Sequence, residues 1–161
     1  LPSLVVIFGR DRGRVFALPR GNKLVIGRSH DLPYRLNDPS VSRQHLEFIH
    51  QKHDGKCIVV DLKSRNGAMI NNKHLLHSHE LNDGDIVQVG YSLIVFVRVV
   101  FDANNPVTPF LDTCEKEYEP YLNRLRDHAS MHTVREAGDR STSQLSGTMQ
   151  LGHIWGKKEQ R

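Results

Sequence analysis

Three short stretches of the chain concentrate side chains able to hold or transform a ligand. They are Ile26-Gly27-Arg28-Ser29, Asp38-Pro39-Ser40-Val41-Ser42-Arg43-Gln44-His45 and Asp61-Leu62-Lys63-Ser64-Arg65-Asn66-Gly67. Together they supply an arginine, a serine flanked by a second arginine, and an asparagine. Ser42 and His45, three residues apart, also have the composition of a nucleophile and its base. His74, His77 and His79 form a local group of metal-ligand types. Their spacing fits neither one helix face nor a standard zinc pattern, and no second ligand group stands beside them. The sequence has no phosphate-cradling Gly-rich loop, no nucleophile elbow and no paired metal motif.

The elements that must position these residues are β-strands. From Leu4 to Val100 short β-rich runs alternate with turn residues, the pattern of a sandwich or barrel. The runs predict strands at Leu4 to Phe8, Val15 to Leu18, Leu24 to Ile26, Leu46 to His50, Cys57 to Asp61, Met69 to Asn71, Ile86 to Val89 and Leu93 to Val99. Glycines punctuate them, and Asp54-Gly55 and Asp83-Gly84 are the clearest hairpin turns. All three candidate stretches fall at strand junctions. In a sandwich the loops gather at the ends, so three such loops can converge on one surface.

The order and spacing of the three stretches resemble the forkhead-associated (FHA) domain family, which is recognised by a Gly-Arg pair, a Ser-x-x-His motif and a Ser-x-Asn-Gly motif. Here they are Gly27-Arg28, Ser42 to His45 and Ser64 to Gly67, and Leu81-Asn82-Asp83-Gly84-Asp85 looks like the family's late hairpin. The resemblance covers roughly residues 4 to 100. It implies an all-β fold, an FHA-like sandwich of about eleven strands, binding phosphothreonine peptides through the loops at one end. Carried over residue by residue, it implies that Arg28 holds the phosphate with a planar, permanently charged guanidinium. Ser42 donates its hydroxyl to the same phosphate, and Arg43 adds a further contact. Asn66, able to donate and accept at once, grips the peptide backbone, with Arg65 beside it. In this resemblance His45 is a buried support for the loops rather than a base. Gly27 and Gly67 let the loops turn or approach, and Ser64 and Asn71 brace them. No cofactor and no metal is implied.

After Phe101, Asn104-Asn105-Pro106 and Pro109 end the β pattern. Leu111, Cys114, Tyr118, Tyr121 and Leu125 then recur at helical spacing, with Pro120 predicting a kink or two short helices. Beyond about Arg135 the composition turns to a flexible tail. The expected organisation is therefore a binding domain over 1–101, a linker and helical segment over 102–134, and a tail over 135–161.

Composition narrows the class. At 161 residues, with 38% hydrophobic and 25% charged, the chain has room for one core and an appendage, and no apolar stretch approaches the roughly 18 residues of a membrane span. The start at Leu1 without a signal-like flank suggests an internal piece of a longer chain. Two cysteines form no framework, which favours a reducing compartment, cytoplasm or nucleus. Residues 1–100 hold 14 Lys or Arg against 9 Asp or Glu, suited to an anionic partner. The expected function is a non-enzymatic adaptor for Thr-phosphorylated proteins. The competing reading is a phosphorylation-independent interaction module; nucleic acid is disfavoured by the scarcity of stacking aromatics. A phosphorylated tail threonine, Thr133, Thr142 or Thr148, is a conceivable self-ligand. Arg10, Arg12 and Arg14 are expected to be solvated turn charges.

Overall fold

The computed structural model describes residues 1–120, 122, 123 and 125–127. Eleven strands form two sheets. In chain order they are β1 (Ser3–Phe8), β2 (Val15–Ala17), β3 (Lys23–Gly27), β4 (Tyr34–Arg35), β5 (Leu46–His50), β6 (Cys57–Asp61), β7 (Ala68–Ile70), β8 (Lys73–His74), β9 (Ser78–Glu80), β10 (Ile86–Val89) and β11 (Ser92–Val97). One sheet runs β2-β1-β11-β10-β7-β8 and the other β4-β3-β5-β6-β9. Neighbouring strands in both sheets pair antiparallel except β3 with β4, which is parallel.

Strand periodicity explains the core. In β3 and β5 alternate residues Leu24, Ile26, Leu46 and Phe48 point inward, meeting Leu4, Val6, Phe16, Ile94 and Phe96 of the facing sheet. In β1 and β11 the residues between these are apolar too: Val5, Ile7, Leu93, Val95 and Val97 are all buried. A sheet with apolar residues on both faces needs a cover on its outer side. That cover is α1 (Val107–Glu117) and the helical residues that follow it, which bury Leu111, Cys114, Tyr118, Leu122 and Leu125 against the outer face.

The expected break near Pro120 is visible in the backbone. Pro120 has no N–H and crowds the carbonyl four residues earlier, so α1 stops at Glu117 and Tyr118 leaves helical geometry at φ −109°, ψ 12°. Helical residues resume at Glu119, and the Leu122 N–H donates to the Tyr118 carbonyl at 2.8 Å. Leu122, absent from the face expected from spacing, is buried there. The expected tail, 135–161, lies outside the described residues, as do Thr133, Thr142 and Thr148.

Of the three first-hairpin arginines Arg14 departs from the solvated role, while Arg12 stays exposed but is drawn into a surface ion pair. Arg14 is half-buried over the Phe16 ring, 5.0 Å from its centroid, and donates to the Arg35 carbonyl and to Asp11. Arg12 pairs with Glu115 at 3.0 Å, and Glu115 also takes Arg126 at 2.8 Å. Arg35 and Glu115 come from segments distant in sequence, which no local pattern reveals.

Burial pushes the Cys114 thiol up to about 12 from an ordinary 9.0, with the Glu117 carboxylate adding to the shift, and burial raises the Tyr118 phenol as well. The native thiol thus keeps its proton where the unfolded thiol loses it. The stabilisation is complete below about pH 9 and is lost as pH climbs toward 12. Unfolding free energies from denaturant titrations should fall between pH 8 and pH 11, by on the order of 2 kcal/mol at the upper end. Cys114→Val should remove part of that slope and leave the Tyr118 contribution.

Candidate functional site

The site is assembled from three loops: buried Asp11, Asp38 and His45 fix the first, backbone hydrogen bonds the second, and Asp61 with His45 the third. The first connects β4 to β5. Its Asn37 N–H donates to Asp11 Oδ2 at 2.6 Å and its Asn37 Nδ2 to Asp11 Oδ1 at 2.8 Å, tying it to the β1–β2 hairpin. Asp38, also buried, accepts from the Ser40 N–H at 2.9 Å, the Tyr91 N–H at 2.8 Å and the Ser92 hydroxyl at 3.2 Å. This carboxylate holds the loop against the β10–β11 turn, where Gly90 leaves the necessary space: a Cβ there would stand 2.7 Å from Asp38 Oδ2.

The second loop follows β3. A Cβ on Gly27 would lie 2.1 Å from the Arg43 carbonyl oxygen, so glycine is required by close approach. That approach lets the Arg28 N–H donate to the Ser42 carbonyl at 3.0 Å and the Ser29 N–H to the Arg43 carbonyl at 3.2 Å. The backbone of Arg28 is thereby fixed beside Ser42 while its side chain remains exposed. Arg35 Nε donates to the Arg28 carbonyl at 2.8 Å.

The third loop follows β6. Asp61 accepts from both the N–H and the hydroxyl of Ser64, each at 2.7 Å, and Ser64 Oγ accepts the Gly67 N–H at 3.0 Å. Gly67 has φ +70° and open space at its Cβ position, so it is needed for its backbone angle alone.

His45, wholly buried, joins the first and third loops. Its Nδ1 accepts the Ser42 N–H at 2.9 Å, and its Nε2 lies 2.7 Å from the Gly67 carbonyl. An amide N–H can only donate and a carbonyl only accept, so the imidazole is neutral with its hydrogen on Nε2. Both nitrogens are engaged by backbone, leaving neither to take a proton from the Ser42 hydroxyl. The nucleophile-and-base reading of Ser42 and His45 fails on this geometry.

The outward face of the assembly is rich in donors. Ser42 Oγ accepts the Arg65 N–H at 3.0 Å, which leaves its own O–H to donate elsewhere. Asn66 Nδ2 donates to the Ser40 carbonyl at 2.9 Å, leaving one N–H and Oδ1. Arg28, Ser40, Ser42, Arg65 and Asn66 line one groove of about 290 Å³ together with Pro39 and Val41. Arg43 lies on the far side of Arg28, in an adjoining recess. Among the described residues the guanidinium groups of Arg28, Arg43 and Arg65 have no hydrogen-bond or ion-pair partner. Such a surface can bind an anion through charge-assisted hydrogen bonds and a polypeptide backbone beside it.

The family model described as FHA domain matches residues 24–90. FhaA of Mycobacterium tuberculosis, an FHA domain-containing protein, is 39% identical over 84 residues, 52% of this chain and 15% of FhaA. The oxoglutarate dehydrogenase inhibitor of Corynebacterium diphtheriae is 38% identical over 95 residues, 59% of this chain and 64% of that protein. An FHA domain solved in a structural and functional study of phosphothreonine-dependent FHA interactions is 32% identical, with a TM-score of 0.53. That match covers 62% of this chain and 98% of that one. The chain belongs to the FHA-domain family. FHA domains are non-catalytic modules that bind phosphothreonine peptides. The chain spans less than two thirds of both curated relatives.

The three loops thus bring Gly27, Arg28, Ser42, Arg43, His45, Ser64, Arg65, Asn66 and Gly67 together. Asn71 is not among them: at φ 49° it lies at the other end of β7, donating to Asp85 at 2.9 Å and accepting the Ile86 N–H at 2.9 Å. His79 also meets Asp85, at 3.1 Å. Among the described residues no group of three His, Cys, Asp or Glu side chains is placed to hold a metal. Sequence reasoning missed the roles of Asp11 and Asp38. The Asp-Pro-Ser of residues 38–40 carried a turn signal for the second; nothing local marks the first.

The two glycines give a graded test. Gly27→Ala should prevent folding or cost well over 3 kcal/mol, because the clash is with backbone, whereas Gly67→Ala should cost about 1–2 kcal/mol of left-handed strain. His45→Ala should cost roughly 2–4 kcal/mol by stranding one N–H and one carbonyl. Urea denaturation of the three variants checks the order.

Proposed function

We propose that this chain is a phosphothreonine-peptide-binding adaptor that recruits a Thr-phosphorylated protein, with no catalytic step of its own. The observation that carries the reading is the convergence of Arg28, Ser42 and Asn66 on one groove with donors that no described residue satisfies. Arg28 holds the phosphate, the Ser42 hydroxyl donates to it, and Arg43 reaches it from the adjoining recess. Asn66 uses its remaining N–H and Oδ1 on the peptide backbone. Arg65 stands beside it, available to peptide or phosphate. Gly27, His45, Ser64 and Gly67 hold the loops in place, and Asn71 fixes the opposite end of β7.

Exposed Pro39 gives the groove an apolar surface suited to the threonine methyl. Burying one methyl-sized group is worth about 0.8 kcal/mol, so phosphothreonine should bind about fourfold tighter than phosphoserine in the same peptide. Two buried free thiols, Cys57 and Cys114, fit a reducing location, cytoplasm or nucleus. Among the described residues no helix is long and apolar enough to cross a membrane. Self-association through Thr133, Thr142 or Thr148 is a further option for the same groove.

Calorimetry with phosphothreonine peptides randomised at flanking positions tests the proposal. Arg28→Ala and Ser42→Ala should each weaken binding about 10- to 100-fold with the fold intact, and unphosphorylated peptides should not bind. Retention of phosphopeptide binding by both variants would show the assignment of the groove to be wrong.

A further inference from the structure

Beyond Pro39 the phosphate groove opens into the larger recess of about 510 Å³ that holds Arg43. Arg28 and Pro39 line both, so the two are contiguous across the Arg28 side chain. The recess adds Arg10 from the β1–β2 hairpin, His30 from the loop after β3 and Arg35 from β4. Its acidic residues are Asp31 and Asp38, and the Asp38 carboxylate is already committed to Ser40, Tyr91 and Ser92. Four guanidinium groups therefore face a single available carboxylate.

These donors are not held by the fold. Among the described residues Arg10, Arg43 and His30 have no side-chain hydrogen-bond or ion-pair partner. Arg35 uses Nε on the Arg28 carbonyl and keeps its two terminal nitrogens. One phosphothreonine phosphate carries a charge of about −1.5 to −2 and three acceptor oxygens, which Arg28, Ser42 and Arg43 suffice to meet. Arg10, His30 and Arg35 remain, approaching the recess from three different segments. Donors arriving from three directions suit the three oxygens of a phosphate better than the planar pair of a carboxylate.

We infer that this recess takes a second phosphoryl group carried by the same peptide, within a few residues of the phosphothreonine. The inference rests on the phosphothreonine reading above. Extended peptide advances about 3.3–3.6 Å per residue, so neighbouring positions can reach across Arg28 into the recess. The chain would then prefer doubly phosphorylated segments to singly phosphorylated ones.

The test is a set of synthetic peptides with one fixed phosphothreonine and a phosphoserine moved through the four positions on either side, titrated by calorimetry at physiological salt. A second phosphate at one or two positions should tighten binding roughly tenfold. Arg10→Ala and His30→Ala, singly and together, should abolish most of that gain while singly phosphorylated peptide binds as before. Equal gain at every position, no gain at any, or a gain that survives the double variant would overturn the inference. Glutamate matching phosphoserine at the favoured position would overturn the assignment to phosphate. Failure of the singly phosphorylated peptide to bind at all would instead count against the phosphothreonine reading itself.

Discussion

The His45 imidazole sits between two backbone groups that belong to different loops, accepting from Ser42 and donating to Gly67. Everything outward of it depends on that bridge. The Ser42 amide is turned inward, so the Ser42 hydroxyl emerges on the groove side, where it accepts the Arg65 N–H. Gly67 is held at a left-handed angle, so the preceding Asn66 is presented beside Ser40. Because the ring is wholly buried and both its nitrogens are engaged, its contribution is geometric. A binding site with pre-positioned donors loses less freedom on ligation than one that must order its loops, and affinity follows from that saving.

A second set of constraints connects the site to the rest of the fold. Asp11 fastens the β1–β2 hairpin to Asn37, and the neighbouring Arg12 reaches Glu115 on α1. The Arg12, Glu115 and Arg126 groups are partly exposed, so their pairing contributes little stability; the apolar cluster around Leu111, Cys114 and Tyr118 does the docking. The ion pairs fix which residues meet. The helical segment is thus packed on the sheet whose β1–β2 hairpin and β10–β11 turn brace the first site loop, and residues beyond 101 share a buried cluster with β1, β10 and β11.

Much of this was legible in the sequence. The motif residues were readable because their chemistry depends on type and spacing, and the long strands because burial leaves a repeated apolar mark. β4, β8 and β9 escaped because they are two or three residues long; Lys73 and His74 of β8 are both exposed and leave no apolar pattern. The doubly buried outer sheet is written in Leu4 to Phe8 and Leu93 to Val97, continuous apolar runs rather than alternating ones, yet the partner that covers it had to be seen. Leu122 lies four residues after Tyr118 and three before Leu125, a spacing that fits the same helix face as well as the expected Tyr121 does, so periodicity alone does not choose between them. Asp11, Asp38 and Arg14 act on residues 20 or more positions away, and an ordinary polar residue in a turn gives no sign of so distant a partner.

The central claim is that His45 is a fixed neutral bridge on which the binding loops are built. Long-range proton–nitrogen NMR of the imidazole tests it most directly, in the free protein and with a phosphothreonine peptide bound. The account predicts an Nε2-protonated ring with an acceptor Nδ1, unchanged by the peptide even as the Ser42, Arg65 and Asn66 amide signals move. A ring protonated on Nδ1, or one whose tautomer switches on binding, would contradict it.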